Sequence, residues 1–356
     1  MDRTFWHGKR VLLTGHTGFK GSWLSLWLQS VGVELLGYAL QPPTNPNLFE
    51  AARVAEGMTS VIGNVVDFEH LQKVISDFKP EIVIHMAAQT VVHTSYVDPV
   101  ANYATNVMGT VHLLEVVRHI SGVKAVVNVT SDKCYENREW VWGYRENDAL
   151  GGYDPYSSSK ACSELVAAAY RNSFFNLSNY SEHGTAIATA RAGNVIGGGD
   201  WTANGLIADI VRSFLEQKSI LIRNPYATRP WQYVLDALNG YLTLAECLYN
   251  KGPAFAEAWN FGPNESDVKP VDWILEKMLA MWGEEVFWEK DHTYQFHENN
   301  ALTLNCSKAH LKLGWEPKMS LEESLRQIIT WTKGYQTGVD VKKLTIDSIH
   351  QFMDLG

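Results

Sequence analysis

The sequence predicts an α/β protein, with a doubly wound parallel sheet and a smaller C-terminal α/β domain. Three observations support this fold class. Apolar runs alternate with amphipathic runs to about residue 190, a glycine-rich turn joins the first two runs, and the pattern changes after residue 191. Strands that alternate with helices imply a parallel sheet covered on both faces.

The elements follow from the spacing of apolar residues. In the run 18–31, for example, Leu24, Leu28 and Val31 share one helical face. The predicted strands are 10–14, 34–40, a short strand ending at 61–62, 81–87, 123–129 and 185–190. The predicted helices are 18–31, 67–78, 102–119, 155–170, 206–215, 234–248, 271–281 and 321–334.

Composition and charge disfavour several classes of protein. The chain has 39 acidic and 30 basic residues, a formal charge of -9, whereas nucleic-acid-binding proteins are usually basic. No apolar run reaches the roughly 18 residues of a membrane span. Residues 1–9 lack the features of a signal peptide, so we expect a cytoplasmic protein. The 4 Cys and 12 His residues show no metal-ligand spacing, so no metal site is predicted.

The first predicted strand leads directly into a Gly-x-x-Gly-x-x-Gly motif with glycines at 15, 18 and 21. Glycines permit a tight turn and a close approach to a pyrophosphate, and the following helix N-terminus favours negative charge. Between a strand and a helix, the motif predicts a Rossmann-type dinucleotide site. The alternative is a purely structural glycine turn.

The residues after the second strand bear on the choice of dinucleotide. Many such sites carry an acidic residue there for the adenosine ribose, or an arginine for a 2′-phosphate. Residues 36–41 contain neither, and the missing arginine favours NAD over NADP. Asn64, after the third strand, is a candidate for the adenine edge, with a turn residue as the equal alternative.

Tyr156 and Lys160 form a Tyr-x-x-x-Lys pattern, which places both side chains on one helical face. A cationic Lys160 is expected to lower the pKa of the Tyr156 phenol toward neutrality. Tyr156 can then accept a hydroxyl proton while hydride leaves the same carbon. The pattern follows a predicted strand that runs into residues 130–133, and ligand sites in such sheets lie at strand ends.

These motifs together resemble the extended short-chain dehydrogenase/reductase family over roughly residues 8–330. The resemblance is carried by the glycine motif, His85-Met86-Ala87-Ala88-Gln89, Asn106, Thr130-Ser131-Asp132 and the Tyr156–Lys160 pair. The resemblance implies that NAD contacts Gly15, Thr17, Gly18, Phe19, Lys20, Gly21, Asn64, Val65, Ala87, Ala88, Gln89, Asn106, Tyr156 and Lys160. We predict an NAD-binding domain of residues 1–190 plus about 228–262, and a substrate-binding domain of about 191–227 plus 263–356.

Residues 131–133 distinguish the sugar-nucleotide 4,6-dehydratases of this family from its 4-epimerases and decarboxylases. Dehydratases that act on dTDP-glucose carry Thr-Asp-Glu there, with Asp as acid for the 6-hydroxyl and Glu as base at C5. This chain has Ser131, Asp132 and Lys133. The resemblance therefore implies that Asp132 is the acid and Lys133 the base. A role for Lys133 in orienting substrate or cofactor is the alternative.

The Asp-Lys pair, the run Arg-Pro-Trp-Gln at 229–232 and the run at 45–50 are most similar to dehydratases of CDP-glucose. The resemblance implies conversion of CDP-D-glucose to CDP-4-dehydro-6-deoxy-D-glucose and water. This reaction begins the route to CDP-linked dideoxyhexoses of bacterial O-antigen lipopolysaccharide. The rival interpretations are a 4-epimerase, against which Asp132 argues, and a non-catalytic NAD-binding regulatory subunit, against which Tyr156 and Lys160 argue.

The candidate substrate-binding residues lie in the second half of the chain. Arg191 and Arg229 are candidate pyrophosphate clamps, because a guanidinium pairs bidentately with phosphate oxygens. For Arg191, a buried ion pair is the equal alternative. The resemblance implies that Asn194 meets the sugar diphosphate. Further candidates at the substrate are Leu206, Trp201 and Trp231, with core packing as the favoured alternative for the tryptophans.

The resemblance also implies a homo-oligomer. Family members pair through a bundle of two long helices, here the predicted helices 102–119 and 155–170. The apolar content of both helices allows a homodimer or a homotetramer.

Overall fold

A parallel sheet of seven strands lies at the centre of the protein and confirms the predicted fold class. The structure, a computed structural model, describes residues 1–283, 287–290 and 302–355. Its strands are β1 (Arg10–Thr14), β2 (Glu34–Ala39), β3 (Thr59–Ile62), β4 (Ile82–His85), β5 (Ala125–Val129), β6 (Ala186–Arg191), β7 (Val195–Ile196), β8 (Ile220–Ile222), β9 (Thr228–Pro230), β10 (Gln232–Tyr233), β11 (Ala258–Asn260), β12 (Val268–Pro270) and β13 (Trp288–Lys290). The strand order in the central sheet is β11-β6-β5-β4-β1-β2-β3.

Helices cover both faces of this sheet, and others lie in the rest of the chain. They are α1 (Arg3–Trp6), α2 (Phe19–Ser30), α3 (Leu48–Ala51), α4 (Phe68–Phe78), α5 (Val92–Val97), α6 (Pro99–Tyr103), α7 (Gly109–His119), α8 (Pro155–Ser173), α9 (Tyr180–His183), α10 (Leu206–Glu216), α11 (Val234–Lys251), α12 (Val271–Trp282), α13 (Ser307–Leu313), α14 (Leu321–Gln336) and α15 (Val341–Met353). A π-helical turn over Ala104–Met108 joins α6 to α7 within the helix predicted at 102–119.

The central strands are buried on both faces, because successive side chains of a strand point to opposite sides. Val11 and Leu13 of β1 face a core that they share with α2 and α11. Leu12 faces the opposite core, which includes residues of α4, α7 and α8. This doubly wound arrangement covers both faces and leaves the carboxyl ends of the strands as the edge where a ligand site can form.

One predicted strand is shorter in the structure than the sequence predicts, and the C-terminal tail forms a helix that the sequence analysis did not predict. The strand predicted at 81–87 ends at His85, because the amides of Met86 and Ala87 each donate to Thr14 Oγ1 at 3.1 Å. The tail after residue 334, which had no interpretable pattern, continues α14 by two residues and then forms α15. The Phe352 ring of α15 packs on Trp27 of α2, with centroids 5.7 Å apart.

A separate apolar core lies among α10, α12 and α14 and contains Phe214, Met278 and Leu325. It falls within the predicted substrate-binding domain, whose boundaries stay a prediction. Residues 284–286, 291–301 and 356 of that predicted range lie outside the described residues. In the part of the chain that is described, no helix is long and apolar enough to span a membrane. The same residues contain no group of His, Cys, Asp and Glu side chains that could hold a metal ion.

Candidate active site

The glycine motif forms the turn between β1 and α2. Gly15 has a φ of +79°, a left-handed conformation that favours glycine. A Cβ on Gly15 would lie 2.8 Å from the Ala87 nitrogen, and a Cβ on Gly21 would overlap the Gly15 carbonyl oxygen. The turn can therefore pack against the end of β4 and against its own helix only because these positions lack side chains.

The N-terminus of α2 has the features of an anion site. The helix begins after Gly18, and no side chain caps it. A Cβ on Gly18 would meet the Gly15 carbonyl oxygen at 3.5 Å, an ordinary contact, so the protein itself does not require glycine there. Thr17 Oγ1 donates to the Leu40 carbonyl at 2.8 Å and anchors the turn to the end of β2. An uncapped helix and an open glycine position fit the close approach of a pyrophosphate.

Gln89 and Asn106, two predicted cofactor residues, are bonded to each other. The Gln89 amide donates to Asn106 Oδ1 at 2.9 Å, and Asn106 Nδ2 donates to the Gln89 carbonyl at 3.0 Å. Asn106 Nδ2 also donates to Ser159 Oγ at 2.8 Å. Asn106 therefore joins the chain after β4 to α8. Ala87 and Ala88 belong to the same stretch of chain.

The Asn64 side chain forms a local turn. Its Oδ1 accepts a hydrogen bond from the Val66 amide at 3.0 Å, and its carbonyl accepts one from the Tyr38 hydroxyl at 3.1 Å. Val65, the next residue, is buried. The geometry corresponds to the turn alternative for Asn64, and contact of Asn64 or Val65 with a cofactor stays a prediction.

Helix α8 places Tyr156 and Lys160 beside the carboxyl end of β5. The helix is capped by Asp154, whose side chain accepts from the Ser157 amide at 2.9 Å. Tyr156 is 7% exposed and Lys160 is 5% exposed. Lys160 Nζ donates to the Val129 carbonyl at 3.2 Å, which ties the lysine to the last residue of β5.

The electrostatics of this pair differ from the sequence prediction. Burial raises the pKa of Tyr156 above its ordinary value, and a hydrogen bond with Ser131 offsets part of that rise. Burial also lowers the pKa of Lys160 to about 7, with a further contribution from the charge of Lys20. The predicted lowering of the Tyr156 pKa by Lys160 is therefore wrong for this structure. Desolvation disfavours the charged form of each group, and it is the largest cause of both shifts.

Ser131, Asp132 and Lys133 form a tight turn directly after β5. Ser131 Oγ donates to Asp132 Oδ1 at 3.0 Å and accepts from the Lys133 amide at 3.2 Å. Asp132 is buried, and a Cβ on Gly193 would overlap its carboxylate. The backbone of Gly193, two residues after β6, therefore lies against the Asp132 carboxylate and restricts where it can lie.

A cleft of about 330 Å³ opens beside this turn. Its size is that of a small-molecule site. It brings together six of the residues predicted at the site, of which five are Asp132, Lys133, Asn194, Leu206 and Arg229. Trp231 also lines the cleft. The cleft thus joins residues that follow the central strands to residues of α10, β9 and the chain after β9.

Asn194 and Arg229 are held at the cleft by backbone structure. Asn194 has a φ of +49°, which asparagine tolerates better than most residues, and its carbonyl accepts from the Gln232 amide at 3.1 Å. Arg229 lies in β9, opposite Lys269 of β12 in an antiparallel pair. Arg229 therefore stays the candidate pyrophosphate clamp.

Arg191 lies away from the cleft lining, in a buried ion pair. It is 3% exposed, and its Nη2 donates to Glu164 Oε2 at 2.8 Å. Its Nη1 donates to the Tyr135 hydroxyl at 2.8 Å and to the Glu146 carbonyl at 3.0 Å. The prediction of a substrate clamp is wrong for this residue, because these protein oxygens occupy its guanidinium. The alternative of a buried ion pair is the one that the geometry supports.

Trp201 also lies outside the cleft lining. Its ring packs on Trp331 and Tyr335 of α14, with centroids 5.7 and 5.2 Å apart. Only 5% of the residue is exposed. The prediction that Trp201 borders the base is therefore corrected in favour of aromatic packing.

Sequence reasoning missed two residues that shape the site. Glu164 follows Lys160 by four positions on α8, so it shares a face with Tyr156 and Lys160. That spacing was a usable signal. Nothing in the sequence indicated the role of Gly193. Its contact with Asp132 forms only because the chain segments after β5 and β6 lie side by side in the fold.

Comparison with known proteins supports the resemblance seen in the motifs. The family model described as GDP-mannose 4,6 dehydratase matches residues 12–328. The CDP-glucose 4,6-dehydratase of Salmonella typhimurium is 55% identical over 353 residues, which cover 99% of this chain and 98% of that protein. The UDP-glucose 4-epimerase of Mycolicibacterium smegmatis is 25% identical over 325 residues, which cover 90% of this chain and 97% of that protein.

Solved structures show the same fold. The dTDP-glucose 4,6-dehydratase of Bacillus anthracis in complex with NAD aligns with a TM-score of 0.74 and 23% identity, covering 95% of this chain and 100% of that one. The UDP-glucose 4-epimerase of Thermus thermophilus in complex with NAD aligns with a TM-score of 0.76 and 24% identity, covering 91% of this chain and 99% of that one. With its motifs, its fold and a family match over most of its length, the chain belongs to the GDP-mannose 4,6 dehydratase family, within the extended short-chain dehydrogenases/reductases.

Proposed function

We propose that the protein is an NAD-dependent hydro-lyase that converts CDP-D-glucose to CDP-4-dehydro-6-deoxy-D-glucose and water. The observation that carries the proposal is the position of Asp132 and Lys133 in one cleft, directly after Ser131, whose side chain offsets part of the rise in the Tyr156 pKa. This arrangement supplies an acid, a base and a hydroxyl-proton acceptor. The name of the relative at 55% identity, CDP-glucose 4,6-dehydratase, supports the same substrate.

The residues at the glycine turn would hold NAD. The glycine-lined approach to α2 suits its pyrophosphate, and Thr17 orients the turn. The resemblance implies that Tyr156 and Lys160 also contact the cofactor. When bound, NAD would supply the hydride chemistry, the reversible acceptance and return of one hydride of the hexose. The remaining chemistry is proton transfer by side chains of this chain.

Three side chains move the protons. Tyr156 accepts the proton of the 4-hydroxyl group in its phenolate form as C4 is oxidised. Burial alone disfavours the phenolate, and the positive charge of oxidised nicotinamide would favour it when NAD is bound. The 4-keto group then acidifies the hydrogen on C5, which Lys133 removes while Asp132 protonates the 6-hydroxyl, so that it leaves as water. Lys133 later returns a proton to C5. Each transfer uses a positioned group in general acid–base catalysis.

We expect the purified protein to carry NAD without any being added, because the proposed cycle ends with the cofactor in its starting form. Gly21→Ala should lose most of the bound NAD and some thermal stability, since the new Cβ overlaps the Gly15 carbonyl oxygen. Gly18→Ala should keep the stability, because its Cβ has room in the protein, and should lose NAD only if the cofactor approaches the turn closely. Heating the protein and analysing the released nucleotide by chromatography measures the NAD content, and a separate thermal melt measures the stability. Recovery of NADP, or full NAD content in Gly21→Ala, would contradict the cofactor assignment.

An isotope experiment tests the reaction itself. CDP-glucose deuterated at C4 and turned over in ordinary water should give product deuterated at C6. Unlabelled substrate in heavy water should gain deuterium at C5 and none at C6 in a single turnover, because only the C5 proton passes through an exchangeable side chain. Product analysis by mass spectrometry and NMR locates each label.

The position of the label also separates the rival functions. An epimerase would return the label to C4, and a simple dehydrogenase would release it on free cofactor. A protein without catalysis would leave the substrate unchanged. Each of these outcomes would end the dehydratase proposal while leaving the family assignment in place.

We further propose a cytoplasmic homo-oligomer that serves the synthesis of CDP-linked dideoxyhexoses for O-antigen lipopolysaccharide. The surface of the helices predicted to pair supports the oligomer, because it exposes apolar side chains. These side chains are Tyr103, Met108 and Leu165, and the exposed Val97, Val100 and Phe174 lie just outside the predicted helices. A homodimer or a homotetramer could cover them. No nucleic acid or membrane partner forms part of the proposal.

A further inference from the structure

A buried ion pair contacts the residues on either side of the segment Ser131–Cys134, which carries the proposed acid and base. Its partners are Glu164 of α8 and Arg191 at the end of β6, with Nη2 and Oε2 at 2.8 Å and each side chain 3% exposed. Neither residue lines the cleft. Any effect of these two residues on the reaction must therefore act through other residues.

The ion pair contacts the chain on both sides of this segment. On the N-terminal side, Thr130 Oγ1 donates to Glu164 Oε1 at 2.5 Å. On the C-terminal side, Arg191 Nη1 donates to the Tyr135 hydroxyl at 2.8 Å, and that hydroxyl donates to Asn260 Oδ1 at 2.7 Å. The two residues that flank the segment are thus tied to one buried pair of charges.

We propose that Glu164 and Arg191 are positioning residues for the elimination step, because together they hold Thr130 and Tyr135 and so fix Asp132 and Lys133 at the cleft. The inference rests on the proposed dehydratase function. It assigns the ion pair to one step of the reaction and leaves the preceding oxidation of C4 largely independent of it.

The ion pair is expected to affect elimination more than oxidation because the groups that perform the two steps are attached to different parts of the fold. Tyr156 and Lys160 belong to α8, whose backbone hydrogen bonds hold them whether or not Glu164 is present. Asp132 and Lys133 belong to a short turn between β5 and Tyr135. Its geometry depends on how the two ends are held. A displacement of about 1 Å at a reacting group can slow a step by ~100-fold.

The electrostatics agree with a pair that is held tightly. Burial alone would raise the pKa of Glu164, but the charge of Arg191 and the hydrogen bonds from Thr130 and Thr189 bring the pKa below its ordinary value. A buried ion pair is weak evidence for stability, because desolvation of both charges opposes their attraction. Its position next to the reacting groups is better explained by the geometry that it imposes on Thr130 and Tyr135.

Two substitutions of the same kind distinguish a role of Glu164 in positioning Asp132 and Lys133 from a role in stabilising the protein core. Thr130→Val and Thr189→Val each remove one hydroxyl hydrogen bond to Glu164, at 2.5 and 2.7 Å, without changing side-chain volume much. Thr130 adjoins the segment, whereas Thr189 lies inside β6. We expect Thr130→Val to slow elimination and Thr189→Val to leave both steps close to wild type.

A double variant removes the ion pair without leaving a buried charge alone. Single substitutions of Glu164 or Arg191 risk unfolding, because an uncompensated buried charge is strongly destabilising. Glu164→Leu with Arg191→Met should fold, since apolar replacement of both partners of a buried pair is often neutral. We expect it to oxidise CDP-glucose at a nearly normal rate and to eliminate water ~100-fold more slowly.

Two measurements decide the outcome. Rapid mixing with CDP-glucose follows the near-ultraviolet absorbance of reduced nicotinamide, which should persist in Thr130→Val and in the double variant. Hydrogen exchange of the amides 131–134, measured without substrate, should be faster in these two variants than in Thr189→Val. Equal slowing of oxidation and elimination, or unchanged exchange in both variants, would overturn the proposal. If wild type itself forms no product, the proposed function fails, and the exchange comparison still tests the positioning.

Discussion

Tyr156→Phe is expected to lose nearly all turnover of CDP-glucose while its fold and NAD content stay unchanged. The hydroxyl oxygen of Tyr156 is the only proposed acceptor for the 4-hydroxyl proton, and general acid–base groups typically contribute ~100- to 10,000-fold. Loss of the oxygen blocks the first step, so neither reduced nicotinamide nor the 4-keto product should form. Steady-state product formation and single-turnover absorbance measure the two effects.

Tyr170→Phe is the matched control for this substitution. Tyr170 lies on the same helix, but its hydroxyl donates to Glu115 at 3.1 Å on the half-buried outer side. We expect its turnover to remain close to wild type. A Tyr156→Phe variant that kept more than about a tenth of wild-type turnover would have lost less than the ~100-fold that such groups usually contribute. Another group would then have to accept the proton.

Lys133→Met is expected to stall the reaction after oxidation of C4. The variant keeps Tyr156 and so can form the 4-keto group, but it lacks the proposed base at C5. We expect product formation to fall by ~100-fold or more, with lasting absorbance from reduced nicotinamide. Lys133→Glu should retain part of the elimination, because the resemblance places a carboxylate at this position in related dehydratases.

Lys124→Met controls for the loss of a lysine near the same strand. Lys124 is exposed immediately before β5, at the opposite end from Lys133. We expect it to leave product formation unchanged. Full activity of Lys133→Met would show that Lys133 only orients ligands, which is the alternative kept open by the sequence. The stalled species also distinguishes Lys133→Met from Tyr156→Phe, in which oxidation itself should fail.

The local features of the fold and site were predictable because each depends on neighbouring residues. The glycine turn requires particular backbone conformations within seven residues, and the strand and helix beside it show clear periodicity. The Tyr156–Lys160 spacing is equally local, since four residues make about one helical turn. The boundaries of β4 and the path of α15 were harder, because side-chain and tertiary contacts determine them.

The role of Arg191 was not predictable, because it depends on residues distant in sequence. From the sequence, a phosphate clamp and a buried ion pair were equally consistent with an arginine at the end of β6. The decision comes from Glu164, 27 residues away, and Tyr135, 56 residues away, which both lie within hydrogen-bond distance. The same holds for Trp201, whose aromatic partners lie in α14.

The sequence by itself therefore determined the fold class, the dinucleotide motif and the family, because these follow from periodicity, backbone requirements and short motifs. Only the tertiary structure decided which of the two candidate clamps, Arg191 and Arg229, lines the cleft and how the pKa of Tyr156 responds to burial. It also revealed that Glu164 and Arg191 hold both sides of the segment with Asp132 and Lys133. The physical reason is that burial and hydrogen bonding act through space, between groups that the chain separates by tens of residues.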